Sequence, residues 1–105
     1  MPKEGFGKFE YKNLTLYVGE WRLTDEGKKV KHGKGKIHFP GATDSLGRMI
    51  GGEEYDGEWI DDMMHGQGVY KFTGGNQYTG EWKNGMMNGH GEMIYADGSS
   101  YKGNW

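Results

Sequence analysis

Four copies of one five-residue pattern, Tyr-x-Gly-x-Trp, organise this chain: Tyr17 to Trp21, Tyr55 to Trp59, Tyr78 to Trp82 and Tyr101 to Trp105. Between them runs a Gly-x-Gly element, as Gly5-Phe6-Gly7, Gly33-Lys34-Gly35, Gly66-Gln67-Gly68 and Gly89-His90-Gly91. Tyr55 to Tyr78 and Tyr78 to Tyr101 are each 23 residues. Self-similarity at a fixed period marks a stacked array, in which each unit buries its apolar face only against its neighbours.

The unit reads as a β-hairpin. Asn84-Gly85 supplies positive φ at both centres of a type I′ turn and so joins two antiparallel strands through a two-residue loop. Counting outward, Lys83 faces Met86 and Trp82 faces Met87; Gly80 is expected opposite Gly89 and Tyr78 opposite Gly91. Aromatics then lie over bare backbone on one face, while Thr79, Glu81, Asn88 and His90 share the wet one. In the other hairpins Gly19 is expected to face Gly33, Tyr17 to face Gly35 and Gly57 to face Gly66. Asp61-Asp62 replaces Asn-Gly in the Tyr55 hairpin and accepts left-handed geometry less readily.

Two insertions interrupt the period. Arg22 to Val30 stands where the next unit has Ile60 to Met63, which suits a longer surface turn. Pro40 to Glu54 stands where later units have Thr73 to Gln77, and its Pro40-Gly41 and Gly51-Gly52 borders suggest an irregular excursion with no added strand. Glu4 to Tyr11, followed by a link containing Asn13, reads as the second strand of a hairpin, and Tyr101 to Trp105 as the first strand of another. The expected architecture is an all-β, elongated, single-layer antiparallel meander of about eight strands. Both margins would be raw edges, so the chain is expected to be a piece of a longer one or to have its edges covered by a partner or a second copy.

Composition agrees with one layer. Glycine makes up 21 of the 105 residues and Leu, Ile and Val are scarce, leaving Tyr, Trp, Phe and Met to supply the core. A net charge of −2 gives no basic surface for nucleic acid. Without cysteine there is no disulfide framework or thiol chemistry. Met1-Pro2-Lys3-Glu4 opens no signal-like apolar run and no stretch approaches membrane-spanning length, so the expectation is a soluble, unsecreted chain.

Tyr-x-Gly-x-Trp followed by His/Asn-Gly-x-Gly at this period resembles the MORN (membrane occupation and recognition nexus) repeat. The resemblance divides the chain into one array over 1–105: a partial repeat over 4–21, an expanded one over 17–54, repeats over 55–77 and 78–100, and a partial one over 101–105. Departures are Asp62, where a turn glycine is usual, and Lys31, where the other units place Met64 and Met87. The resemblance implies a non-catalytic scaffold or attachment module. MORN proteins are associated with cilia and flagella, the parasite cytoskeleton and membrane junctions, and MORN segments are also appended to enzymes.

The short glycine motifs lack a following Gly-Lys-Ser/Thr and open no helix, so they are strand glycines and not phosphate cradles. His32 and His65 are expected opposite Glu20 and Glu58 as solvated pairs, and translation along the sheet spreads the histidines too far for a metal. Ser45, Ser99 and Ser100 have no histidine near them in the repeat geometry, and the pair Asp56 and Glu58 has no cleft to work in. The expectation is therefore a chain with no catalytic residues, cofactor or metal.

Two surfaces remain. Tyr17, Trp21, Tyr55, Trp59, Tyr78, Trp82, Met87, Tyr101 and Trp105 form an aromatic strip, with Met64 and Met93 beside it, on which a protein segment of helical form or a cytoskeletal component could lie. Lys28, Lys29, Lys31, Lys34 and Lys36 form a basic turn, a possible site for anionic lipid or acidic protein tails, opposed by the bland reading of charges neutralised between neighbouring hairpins. The expected function is a scaffold of a cytoskeletal assembly, cytoplasmic and ciliary or flagellar by family association. The alternatives are a peripheral membrane adaptor on anionic phospholipid and a regulatory domain of a larger enzyme.

Overall fold

The computed structural model describes residues 3–11, 14–43, 45–46, 49–50 and 52–105. Asn13 of the first link and Gly51 of the second insertion lie outside them, as do Met1 and Pro2. Ten strands follow in order: β1 (Glu4–Glu10), β2 (Leu16–Leu23), β3 (Lys29–Phe39), β4 (Ala42–Thr43), β5 (Met49–Ile50), β6 (Glu53–Ile60), β7 (Met63–Lys71), β8 (Gln77–Lys83), β9 (Met86–Ile94) and β10 (Ser100–Asn104). Eight form one open antiparallel sheet in the order β1-β2-β3-β6-β7-β8-β9-β10, and β4 pairs with β5 alone. The molecule measures 48 × 40 × 16 Å, a single layer.

The register places eight glycines in one file across the entire sheet. Gly7 faces Gly19, and the file continues through Gly35, Gly57, Gly68, Gly80 and Gly91 to Gly103. One step along the strands runs an apolar row of Phe9, Tyr17, Ile37, Tyr55, Tyr70, Tyr78, Met93 and Tyr101. Tyrosine rings from the second row lie down over the first. A Cβ added at Gly68 would meet the Tyr55 hydroxyl at 2.3 Å, and one at Gly91 the Tyr78 hydroxyl at 2.3 Å. Tyr17, Tyr55 and Tyr78 consequently have no exposed surface.

Uninterrupted pairing out from the turn would put Gly80 opposite Gly89 and Tyr78 opposite Gly91; the structure corrects both. Trp82 does face Met87 and Lys83 faces Met86, but Gly80 faces Gly91 and Tyr78 faces Met93. The same two-residue slip pairs Gly19 with Gly35 and Tyr17 with Ile37, and Gly57 with Gly68. Its cause is a β-bulge in each hairpin, between Gly19 and Trp21, Gly57 and Trp59, and Gly80 and Trp82. The first glycine of each Gly-x-Gly turns the bulge with positive φ: +94° at Gly33, +72° at Gly66 and +76° at Gly89. That is glycine's region, and a bulge leaves residues outside the ladder that need other partners.

Those partners come from the repeated glutamate. The Glu20, Glu58 and Glu81 carboxylates accept the backbone N–H of Lys34 (2.7 Å), Gln67 (2.8 Å) and His90 (3.0 Å). These bonds stand where Glu20–His32 and Glu58–His65 pairs were expected, and His32 lies instead beside Asp61, 3.6 Å from its carboxylate. The two-residue turns form as expected, with φ of +51° and +81° at Asn84 and Gly85. Asp61 and Asp62 adopt the same turn at +47° and +71°.

Both insertions are more regular than their composition suggests. Arg22 pairs with Val30 and Leu23 with Lys29, so the first adds ladder rungs and closes in a tight turn, Thr24 N–H donating to the Lys28 carbonyl at 2.8 Å. The second contains the β4–β5 ladder, Ala42 opposite Ile50 and Thr43 opposite Met49, which corrects the expectation of no added strand.

Gly68→Ala should destabilise the fold by about 1–3 kcal/mol, since the methyl must displace a fully buried ring. Gly7→Ala in the same file meets only ordinary contacts, the nearest at 3.4 Å, and should be near neutral. Urea melts followed by circular dichroism would compare them; equal stability of the two variants would refute the packing role given to the glycine file.

Candidate functional site on the aromatic face

The aromatic face is built by a rule that each unit repeats. A tyrosine crosses its own strand's glycine and donates its hydroxyl to the carbonyl of the glutamate three residues on: Tyr17 to Glu20 (2.6 Å), Tyr55 to Glu58 (2.8 Å) and Tyr78 to Glu81 (2.9 Å). These glutamates stand at the bulges and have no partner in the adjoining hairpin ladder, so the phenol serves a carbonyl that the ladder misses. Trp59 and Trp82 reach back to the preceding unit. Trp59 Nε1 donates to the Gly35 carbonyl at 2.9 Å and Trp82 Nε1 to that of Gly68 at 3.2 Å.

Edge-to-face stacking links these rings. Tyr55 meets Trp59 at 5.1 Å and Trp82 at 5.2 Å; Tyr78 meets Trp82 at 5.3 Å and Trp105 at 5.4 Å. Tyr55 and Tyr78 are thus each held between their own tryptophan and that of the following unit, while Tyr17 lies between Phe9 and Trp59. Burial drives the phenols of Tyr17 and Tyr55 well above their ordinary pKa, with the Glu20 and Glu58 charges adding to the shift. Tyr78 is raised in the same way, Glu81 contributing. Tyr70 is raised by burial and by its hydroxyl bond to Glu53, 2.6 Å long.

Most of the expected strip is therefore interior. Tyr17, Tyr55 and Tyr78 are sealed, Trp59 and Trp82 are buried and Trp21 is half-buried. Tyr101 and Trp105 remain exposed, at 48% and 38%. What the face leaves open is a groove of about 570 Å³ over the last two full hairpins. Met64, Met86 and Met87 line it with Tyr70, Phe72, Trp82 and Trp105. Sequence counting missed Tyr70, Phe72 and Met86 as groove residues: the bulge in the β6–β7 pair sets Tyr70, in place of Gly68, opposite Tyr55, and the unbroken β7–β8 ladder sets it opposite Tyr78.

At the corresponding place in the first unit the groove is filled. Lys31, opposite Trp21, extends its ammonium among Tyr11, Tyr17 and Trp59, 5.5, 5.8 and 5.4 Å from the three rings. It also pairs with Asp62 at 3.2 Å, and its backbone N–H donates to the same carboxylate at 2.7 Å. The two residues that depart from the repeat pattern are thus each other's partner. Neighbouring Asp61 accepts from Arg22 Nε at 2.8 Å, so both aspartates of the turn are tied to the extended first hairpin.

The basic turn is dispersed by the same contacts. Lys31 is largely enclosed, Lys36 bridges to Glu54 at 3.4 Å, and Lys29 lies over the Trp21 ring at 4.4 Å. Lys28 and Lys34 are exposed, with no ion pair among the described residues. Among the described residues no three His, Asp or Glu side chains converge in a way that could hold a metal.

Two predictions follow from this geometry. An unfolded tyrosine loses its proton near pH 10, whereas Tyr17 and Tyr55 keep theirs well above that and burial shifts Tyr78 in the same direction. Their stabilisation is complete below about pH 10 and drains away as pH rises further, so the fold should resist titration and then unfold with tyrosinate absorbance and circular dichroism changing together. Tyrosinate appearing near pH 10 with the sheet intact would contradict it. Asp62→Gly alone should destabilise the chain by leaving Lys31 enclosed and unpaired, and Lys31→Met should largely relieve that loss. A double-mutant cycle is expected to give a coupling of about 1 kcal/mol; additivity of the two changes would refute the pairing.

A family model described as the MORN repeat matches residues 28–41, 55–77 and 78–100 of the chain. No curated protein matches it.

Proposed function

The chain belongs to the MORN repeat family, an interaction module built by repetition, and from that premise we propose a non-catalytic scaffold that holds a partner segment on its aromatic face. The observation that carries this reading is the open groove beside a sealed core. Its lining of Met64, Met86, Met87, Phe72 and Trp105 is apolar and adaptable, and methionine and aromatic side chains repack around an apolar helix at little cost. Phe72 and Trp105 supply rigid walls and the methionines a deformable floor.

The assembly this scaffold serves is read from family association as cytoskeletal, in a cilium or flagellum. The rival reading, a basic surface for anionic lipid, depends on Lys28 and Lys34, because Lys31 and Lys36 are engaged elsewhere.

Tyr78 and Trp82 are unsuitable probes, being part of the core. Met86→Asp with Met87→Asp changes the groove at an exposed and a half-buried position and should leave the sheet folded. The double variant, checked by circular dichroism, should lose the proteins that the wild-type chain captures from ciliated-cell extract, while anionic liposomes should bind neither. Undiminished capture by the folded variant would sink the groove reading. Liposome binding abolished by reversing Lys28 and Lys34 would favour the rival.

A further inference from the structure

The first unit displays what a groove of this kind takes in. The Lys31 ammonium stands 5.5 Å from the Tyr11 ring, 5.8 Å from Tyr17 and 5.4 Å from Trp59, and its side chain is only 12% exposed. Rings within about 6 Å of one cation form an aromatic cage, in which their negative faces attract the charge. Oxygen partners complete it. Asp62 stands 3.2 Å from the ammonium, and Lys31 Nζ donates to the Tyr11 hydroxyl at 3.4 Å, as a primary ammonium with N–H groups to satisfy requires.

The glycine file fixes which residues of the open groove correspond to this cage. Tyr11 lies four residues after Gly7, as Phe72 does after Gly68; Trp59 lies two after Gly57, as Trp105 does after Gly103. Lys31 lies four before Gly35, as Met64 does before Gly68 and Met87 before Gly91. The groove is thus the same cage with thioethers in place of the ammonium, and it gains further rings: Tyr70 stacks on Phe72 at 4.6 Å and on Trp82 at 5.7 Å. Gly85 takes the turn position of Asp62, and among the described residues no Asp or Glu lines the groove.

That difference selects the cation. A primary ammonium entering here keeps the attraction of the rings but gives up its water for no oxygen partner, whereas a quaternary ammonium has no N–H to satisfy and is held by ring faces and methyl contacts alone. We propose that the groove receives the trimethylated side chain of a lysine on the partner segment, its charge lodged among Tyr70, Phe72, Trp82 and Trp105 with the methionines against its methyl groups. This rests on the groove reading above and names the chemistry of what is held there. The occupant of the first cage is itself a lysine side chain carried by a strand of the same sheet. A choline headgroup would bring the same cation, but it also carries a phosphate, and among the described residues no Lys or Arg lines the groove to meet one.

Titration of the full chain with synthetic Gly-Gly-X-Gly-Gly peptides tests this, with X as trimethyl-lysine, as lysine, or as the uncharged isostere that has carbon in place of the ammonium nitrogen. The readout is the indole N–H resonances of Trp82 and Trp105 in isotope-edited NMR spectra. The trimethyl-lysine peptide should shift both and bind about tenfold more tightly than the isostere, the ratio that a desolvated cation–π contact supports. The lysine peptide should bind more weakly than the trimethylated one. Phe72→Leu keeps apolar volume and removes a ring face, so with its circular dichroism unchanged it should bring the trimethyl-lysine peptide down toward the isostere. An isostere that binds wild-type chain as tightly as the cation overturns the proposal while leaving an apolar segment in the groove untouched, since that reading has its own test in capture by the Met86→Asp, Met87→Asp variant. Absence of any shift with the trimethyl-lysine peptide also overturns it, and binding of phosphatidylcholine vesicles in that case would assign the cage to a lipid.

Discussion

Tyrosine laid flat on bare backbone is the contact on which this fold rests. A single layer has no second sheet or helix to cover its apolar side, so each ring must cover its own strand, and only glycine leaves room beneath it. Covering a large ring contributes at most about 4–6 kcal/mol by area. Edge-to-face geometry adds about 0.5–1.5 kcal/mol. Burial therefore sets the stability, and stacking sets which tryptophan each tyrosine meets. The hydroxyl completes the arrangement by bonding the glutamate carbonyl that the bulge removes from the ladder.

Bulge, glutamate and tyrosine are consequently one device in three parts. The bulge needs a glycine at positive φ, it frees an amide that the glutamate carboxylate takes up, and it frees a carbonyl that the tyrosine takes up. A conflict in one part calls for a remedy close by. Asp61 and Asp62 occupy left-handed positions without glycine's freedom, and Arg22 and Lys31 bind their carboxylates from the neighbouring hairpin. The longer arm of that hairpin supplies Arg22, and the repeat position that elsewhere holds methionine supplies Lys31.

Hairpins, turns, the shared aromatic face and the single layer were all readable from the spacing of Tyr, Gly and Trp. The register beyond Trp82 was not. Counting outward from Asn84-Gly85 assumes an unbroken ladder, and nothing in Gly89 by itself distinguishes a bulge from an ordinary strand residue; Glu81 offers the clue, but only once its carboxylate is seen on the His90 amide. The same slip in the Tyr55 hairpin is why Tyr70, and not Gly68, lies opposite Tyr55. The aromatic strip was over-read for a related reason: a lone sheet was expected to leave its rings half bare, yet neighbouring rings roof one another until Tyr55 and Tyr78 see no solvent. Lys31 and Asp62 each stood out as anomalies in the sequence, but 31 residues of separation concealed that they compensate one another.

Because each unit grips only the units beside it, length is the quantity this architecture controls. Two strands per period add about 10 Å across the sheet at ordinary strand spacing, while thickness stays at 16 Å. Copying or deleting one 23-residue period alters the span in fixed steps without disturbing the face presented along it. The width of such a sheet is therefore graduated, each period adding one equal mark.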